Sequence, residues 1–382
     1  MKLAFFAARR IHRQYFTQLS SRLNASDSLP SLVIWHKFLW LNPFALLRLK
    51  HVSLETRTKL ESIVNDHIRE KQNSRKGRSR SASYWKLFAK VKTLEARALL
   101  AIYQQALANH KISHLVVWNG LKFRQRVVVA AAESLQINPL FMENGLLPGM
   151  TTLDRKGINF LNSVPRDPQF FITRSGHVRK TSIEHKERPE ELPEHYVFIP
   201  FQVNTDSQIV LFSPWLKDMT ALVDALLKAE SNLQEHTPNI VLKTHPACDQ
   251  DYSELIKHLN SSSKKIRLYN SGDTQAFIAH ADAVATINST VGIEAIMANI
   301  NTLVLGQAFY NIAGLTLSAQ SQAELEQALT QLVGFKPNPT IRQGLLHYLE
   351  SEYQIPGRWQ DADAEHIEAA CAHLEQEVNR LG

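Results

Sequence analysis

Between Tyr196 and Val333, short apolar runs alternate with amphipathic helical segments, and that alternation restricts the fold more than any other feature of the chain. Tyr196–Val203, Ile240–Lys243, Ile266–Tyr269, Ala283–Ile287 and Thr302–Leu305 read as buried strands. Helical patterns over Leu216–Leu233, Tyr252–Leu259, Thr274–Ala281, Val291–Ala298 and Ala323–Val333 separate and follow them. Apolar strands interleaved with helices predict a parallel sheet covered on both faces.

A similar series opens the chain. Strands are expected at Leu3–Ala7, Ser31–His36, Leu115–Trp118 and Leu140–Glu143, with a basic amphipathic helix through about Leu23 and another over Phe123–Leu135. Residues 40–112 read as mostly helical, interrupted by the Ser/Arg/Gly-rich segment 73–83. A polar stretch, 175–195, has little to bury and marks the domain boundary. The expectation is therefore an α/β fold of two Rossmann-like domains with the ligand cleft between them. They are placed at 1–175, carrying a basic helical insertion at about 40–112, and at 195–382, ending in a helical segment over 338–382 that packs back across both domains.

Composition narrows the class. At 382 residues, with 44% hydrophobic and 21% charged residues and only Cys248 and Cys371, the chain is neither disordered nor a disulfide scaffold. Two cysteines can pair at most once, which suits a reducing compartment. The longest apolar stretch, Phe38–Leu49, is too short to span a bilayer and is broken by Pro43. The N-terminus lacks the long apolar region of a signal peptide. A soluble cytoplasmic protein is expected.

Charge is unevenly spread. Residues 1–100 hold 20 Lys/Arg against 6 Asp/Glu, whereas the remaining 282 hold 23 against 30. Nine basic residues face Glu70 alone between Arg69 and Lys92. Such a field attracts anionic surfaces. No nucleic-acid motif accompanies it, so nucleic acid is not expected as a partner. Tyr84, Trp85 and Phe88 instead suit peripheral contact with an anionic inner membrane through residues 69–92. The plain alternative is a solvated linker.

The familiar nucleotide, zinc-protease and nucleophile-elbow signatures are absent. Asp361 and Asp363 form a DxD, but they open a C-terminal helix whose dipole they complement. Strand ends are more informative, because an open parallel sheet binds ligands beyond its carboxyl edge. One strand ends in Lys243-Thr244-His245-Pro246, another in Asn288-Ser289-Thr290, and a third in Gln202 followed by Asp206. Taken singly, these are a turn, an N-cap and a helix cap; three polar ends on one rim point to a site. The first half adds Glu143 and Asn144 before a glycine, then Asp154, Asn159, Ser163 and Arg166. Asn/Asp/Arg clusters grip sugars, and a carboxylate at the reacting centre can act as base or nucleophile.

The run ENGLLPGMTTLDRKGINFLNSVPRDPQFF resembles the capsular polysaccharide biosynthesis/export family. FIPFQVNTDSQI, KTHP and NSTVGIEAI are similar to three further motifs of that family, and the four together span about residues 140–310 in the family's order. Residues 1–135 and 320–382 carry no diagnostic motif. The resemblance implies a GT-B-like, retaining β-Kdo transferase (Kdo is 3-deoxy-D-manno-oct-2-ulosonic acid) in capsule or lipopolysaccharide assembly. Its donor would be CMP-Kdo, its acceptor a glycolipid or polysaccharide, and neither cofactor nor metal is implied. His245 and Pro246 would bind the cytidylate, and Ser289 and Thr290 the phosphate or sugar carboxylate, with Lys243 and Glu294 beside them. Asp206 matches the carboxylate that forms a covalent adduct with the anomeric carbon, with Asp154 as its rival, and Glu143 matches the acid/base residue. Gln202, Asn144, Asp154, Asn159, Ser163 and Arg166 would contact substrate. The alternatives are a GT-B transferase using another sugar nucleotide and a non-catalytic export or scaffold protein.

Overall fold

The computed structural model describes residues 1–36, 52–174, 186–248 and 250–381. The apolar run at 38–49 and much of the polar stretch at 175–195 lie outside the described residues. Strands follow in the order β1 (Leu3–Ala7), β2 (Ser31–Trp35), β3 (His114–Trp118), β4 (Asn138–Asn144) and β5 (Met150–Asp154). Then come β6 (Val197–Pro200), β7 (Ile240–Lys243), β8 (Ile266–Tyr269), β9 (Ala283–Thr286), β10 (Asn301–Val304), β11 (Leu317–Ser318) and β12 (Gln354–Pro356). They form two six-stranded sheets, each in its own compact unit. The fold is α/β with two Rossmann-like sheets.

The first sheet has the order β12-β5-β4-β3-β1-β2. Its four strands from β4 to β2 are parallel, and alternation along β1 feeds both faces. Leu3, Phe5 and Ala7 pack with Tyr15, Phe16 and Leu19 of helix Arg10–Ala25. Ala4 and Phe6 face Leu99, Leu100 and Tyr103 of helix Ala82–Asn109. The sequence pattern missed β5 and β12, which pair antiparallel. Neither advertises itself: β5 (MTTLD) is half polar, and β12 is three residues ending in proline.

The second sheet is parallel throughout, in the order β11-β10-β9-β6-β7-β8. One face packs on helices Met219–Leu233, Ser253–Ser262 and Gln322–Gln331, and the other on Thr274–Ala279 and Val291–Met297. Both faces are covered, so strands such as Ala283–Thr286 are buried at every position.

The chain does not divide at 175–195. One unit comprises Met1–Arg69, Arg80–Ser163 and Tyr353–Gly382, and the other Glu70–Ser79 and Val164–Glu352. The C-terminal stretch, expected to be helical and part of the second domain, instead supplies β12 to the first sheet. Its helix Ala364–Leu381 buries Ala370, Cys371 and Leu374 beside helix Arg10–Ala25. Residues 70–79, expected within the first domain, belong with the second unit. Asn73 donates to the Asn204 carbonyl (3.2 Å), Gln250 donates to the Asn73 carbonyl (3.1 Å), and Arg78 pairs with Asp218 (3.0 Å).

Candidate functional site

In the second sheet the strand order reverses between β6 and β9, and ligands of such sheets bind beyond the carboxyl ends flanking that point. Gln202 follows β6 and Asn288 follows β9, and both are buried. The Gln202 Nε2 donates to Asn288 Oδ1 at 2.9 Å, while the Asn288 backbone N–H donates to Gln202 Oε1 at 3.1 Å. Asn288 Nδ2 also donates to the carbonyls of Gln208 and Phe212. The crevice floor is a closed amide network. Those bonds take one N–H and one lone pair of the Gln202 amide and fix its side chain at the crevice floor.

Lys243, the last residue of β7, is only 6% exposed. Its ammonium has no hydrogen-bond or ion-pair partner among the described residues. Burial lowers its pKa, and Asp273 partly opposes the shift. The side chain is buried along its stem while the ammonium at its tip has no carboxylate paired to it among the described residues, which leaves a positive charge at this rim for an anion. His245 lies two residues on, and the Ala247 N–H donates to its Nδ1 at 3.1 Å. In the neutral ring this puts the proton on Nε2, as a donor. Burial depresses the His245 pKa, the Asp206 carboxylate pulls it up, and Lys243 adds to the depression. Asp206 and Lys243 thus both act electrostatically on His245.

Asp206 is exposed and caps helix Ser207–Phe212, its Oδ1 accepting from the Gln208 N–H at 2.9 Å and from the Ser207 hydroxyl at 3.3 Å. The capping role read from sequence is real, and it leaves Oδ2 open. Pro246 is exposed beside His245. The Ser289 hydroxyl accepts from the Val291 N–H at 3.2 Å, so it too serves as a cap, while Thr290 stays exposed. Tyr310 fixes this turn: its hydroxyl donates to the Ser289 carbonyl, and a Cβ on Gly292 would sit 2.3 Å from that hydroxyl oxygen. Glu294 accepts from Gln275 Nε2 at 2.6 Å, and burial raises its pKa against that hydrogen bond.

The first unit holds the other candidates. Glu143, at the carboxyl end of β4, is half-buried; Oε2 accepts from Asn119 Nδ2 at 2.7 Å and Oε1 from the Asn144 N–H at 2.9 Å. Asn144 Oδ1 accepts from Trp359 Nε1 and Gln360 Nε2, tying β4 to the C-terminal segment. A surface groove of about 700 Å3 in this unit is lined by Arg10, Arg13, Gln14, Gln18, Trp359 and Gln360, among others.

Asp154 is 2% exposed and accepts from Lys156, Gly157 and Ser163 N–H groups, the Ser163 hydroxyl and the Tyr353 hydroxyl. With both oxygens taken up by donors it is a loop anchor. This corrects its reading as a rival nucleophile or a substrate contact, and Ser163 shares the structural role. Asn159 adopts a φ of 53° at the start of a short helical turn. Arg166 belongs to the second unit and donates to the Val164 carbonyl.

Asn119, Gln275 and Tyr353 belong to no motif that marks them in the sequence. Each acts by positioning a carboxylate, and only folding brings it there. Asn288 was legible as a strand-end residue, though its pairing with Gln202 was not.

A family model described as "Capsule polysaccharide biosynthesis protein" matches residues 173–359, nearly the span of the second unit. Protein FixF of Sinorhizobium fredii is 32% identical over 304 residues, covering 75% of this chain and 72% of that protein. The capsule polysaccharide export protein KpsS of Escherichia coli is 31% identical over 171 residues, 43% of this chain and 42% of its own length. Among solved structures, the β-Kdo 2,7 transferase of Thermosulfurimonas dismutans KpsC aligns over 99% of this chain and 100% of that one, at 14% identity and a TM-score of 0.49.

Proposed function

This chain belongs to the capsule polysaccharide biosynthesis family, and from that premise we propose that it is a retaining β-Kdo transferase using CMP-Kdo. The observation that carries the reading is the unpaired Lys243 ammonium on a largely buried side chain, close enough to His245 to act on it together with Asp206, at the carboxyl edge of a parallel sheet next to its point of reversal. Kdo carries a carboxylate on its anomeric carbon and the donor adds a phosphate, so the ligand is doubly anionic. Lys243 offers charge, and His245 Nε2–H and the Thr290 hydroxyl offer hydrogen bonds, to those anions.

In this proposal Asp206 Oδ2 attacks the anomeric carbon. The bond from that carbon to the phosphate oxygen breaks, and CMP leaves with the electron pair. An acceptor hydroxyl then attacks the same carbon from the opposite side, its proton passes to a base, and the Asp206 ester breaks. Two inversions give net retention. Glu143 is the candidate base on motif grounds alone. The acceptor is proposed to be a glycolipid or polysaccharide, for which the guanidiniums and amides of the Arg10–Gln360 groove are chemically suited.

The test is intact-mass analysis after mixing the protein with CMP-Kdo. A gain of one Kdo unit, mapped to a peptide containing Asp206, is expected in the wild type and absent from Asp206→Asn. Turnover that releases UDP from a UDP-sugar, with no CMP from CMP-Kdo, would replace the donor. No turnover with either donor would favour a non-catalytic export or scaffold role.

A further inference from the structure

The outward face of helix Ala82–Asn109 carries an apolar stripe. Tyr84, Leu87, Val91 and Leu94 are 39%, 63%, 51% and 66% exposed, and they are four of the nine large apolar side chains left exposed among the described residues. Steps of three, four and three residues return to one side of a helix, so the stripe runs unbroken for roughly 15 Å. A fold that buries Leu99, Leu100 and Tyr103 of the same helix to 1% exposure or less has left these four in solvent. Large apolar patches of this kind mark a surface awaiting a partner.

The polar residues beside the stripe identify the partner's chemistry. Lys86, Lys90 and Arg97 are exposed on one edge of the stripe and have no ion-pair partner among the described residues. At the head of the helix the Arg80 guanidinium lies 5.0 Å over the Tyr84 ring. The single acidic residue between Arg80 and Arg97 is Glu95, paired with Lys92 at 2.7 Å and within 3.8 Å of Arg124. The face thus presents apolar groups and unneutralised cations. Trp85 and Phe88, expected from sequence to reach a membrane, are only half exposed; Phe88 stacks near His67 (6.1 Å) and Tyr84 (5.9 Å).

We propose that this face docks on an anionic lipid bilayer. Tyr84, Leu87, Val91 and Leu94 enter the boundary between headgroups and acyl chains, and Lys86, Lys90 and Arg97 meet lipid phosphates. An apolar stripe edged by Lys and Arg is the pattern of helices that lie in the membrane interface. A second copy is the poorer occupant: two such stripes brought together would also gather the cations Lys86, Lys90 and Arg97 of both copies, against which, among the described residues, the face sets only the exposed Glu61, in the groove that Leu94 and Arg97 share at one end of the stripe. The proposal is independent of the transferred sugar, and a chain inactive on every donor would still bind lipid.

The test is co-sedimentation of the full chain with phosphatidylcholine vesicles, with and without phosphatidylglycerol. Wild-type protein is expected to sediment with the anionic vesicles, progressively less as salt rises. Leu87→Gln/Val91→Gln/Leu94→Gln and, separately, Lys86→Gln/Lys90→Gln/Arg97→Gln should each weaken binding about tenfold or more with unchanged circular dichroism, because every altered side chain is exposed. Wild type left in the supernatant, or both variants sedimenting like wild type, would overturn the proposal. So would self-association abolished by the apolar variant in the absence of any lipid binding.

Discussion

Gln202 and Asn288 exchange two hydrogen bonds, at 2.9 and 3.1 Å, across the point where the strand order of the second sheet reverses. One residue follows β6 and the other β9, so their side chains hold the crevice at a fixed width. Asn288→Ala would strip partners from Gln202 and from the carbonyls of Gln208 and Phe212, all in a buried setting. The expected loss is about 1–3 kcal/mol in chemical denaturation. Gln202→Ala should cost less in the Asn288→Ala background than alone, and additive losses would mean that the pair is not coupled.

Asp154 and Asp206 should respond oppositely to the same substitution. Asp154→Asn replaces an acceptor-only carboxylate that takes five donors, so roughly 3 kcal/mol of stability is expected to be lost, with activity falling as the loop loosens. Asp206→Asn keeps the helix cap, since asparagine caps as well as aspartate. Its melting temperature should stay within a degree or two of wild type while transfer is abolished. Measuring both properties in both variants separates anchor from nucleophile.

Lys243→Met tests the anion-ready rim. The ammonium has no partner among the described residues and burial depresses its pKa, so an apolar chain of similar length should leave the free protein as stable or slightly more so. Affinity for a CMP-linked acidic sugar should nevertheless drop about tenfold or more by calorimetry, the loss of one charge-assisted contact. Unchanged affinity would remove Lys243 from the site.

His12 gives a pH dependence whose sign is fixed by burial. Its ring is 6% exposed, stacks on Trp118 at 4.7 Å, leaves Nδ1 without a partner, and has its pKa lowered from 6.5 to about 4, chiefly by desolvation and then by Arg9. Between those two values the unfolded chain binds the extra proton, so stability is full above pH 6.5 and falls as pH drops toward 4. His12→Phe keeps the stacking and removes the titration. The denaturation free energy of wild type should fall by about 2 kcal/mol more than that of the variant between pH 7 and 5.

Local pattern carried much of this protein. Apolar runs with both faces buried told strands β1, β3, β7 and β9 from the helices around them, because period and burial are properties of neighbouring residues. Polar residues at the ends of β6, β7 and β9 were likewise visible as a rim, and there Asp206 and Lys243 both act on His245. Tertiary structure decided what depends on residues far apart in the chain. Strand β12 joins the first sheet about 200 positions after its partner β5, and residues 70–79 belong with the second unit. Asp154 takes four of its donors from residues within nine positions of it, and only the fifth, Tyr353, was brought from far along the chain. Sequence fixes which groups are available and which segments are stiff or apolar; long-range packing determines which of those groups are consumed by the fold and which stay open to a ligand.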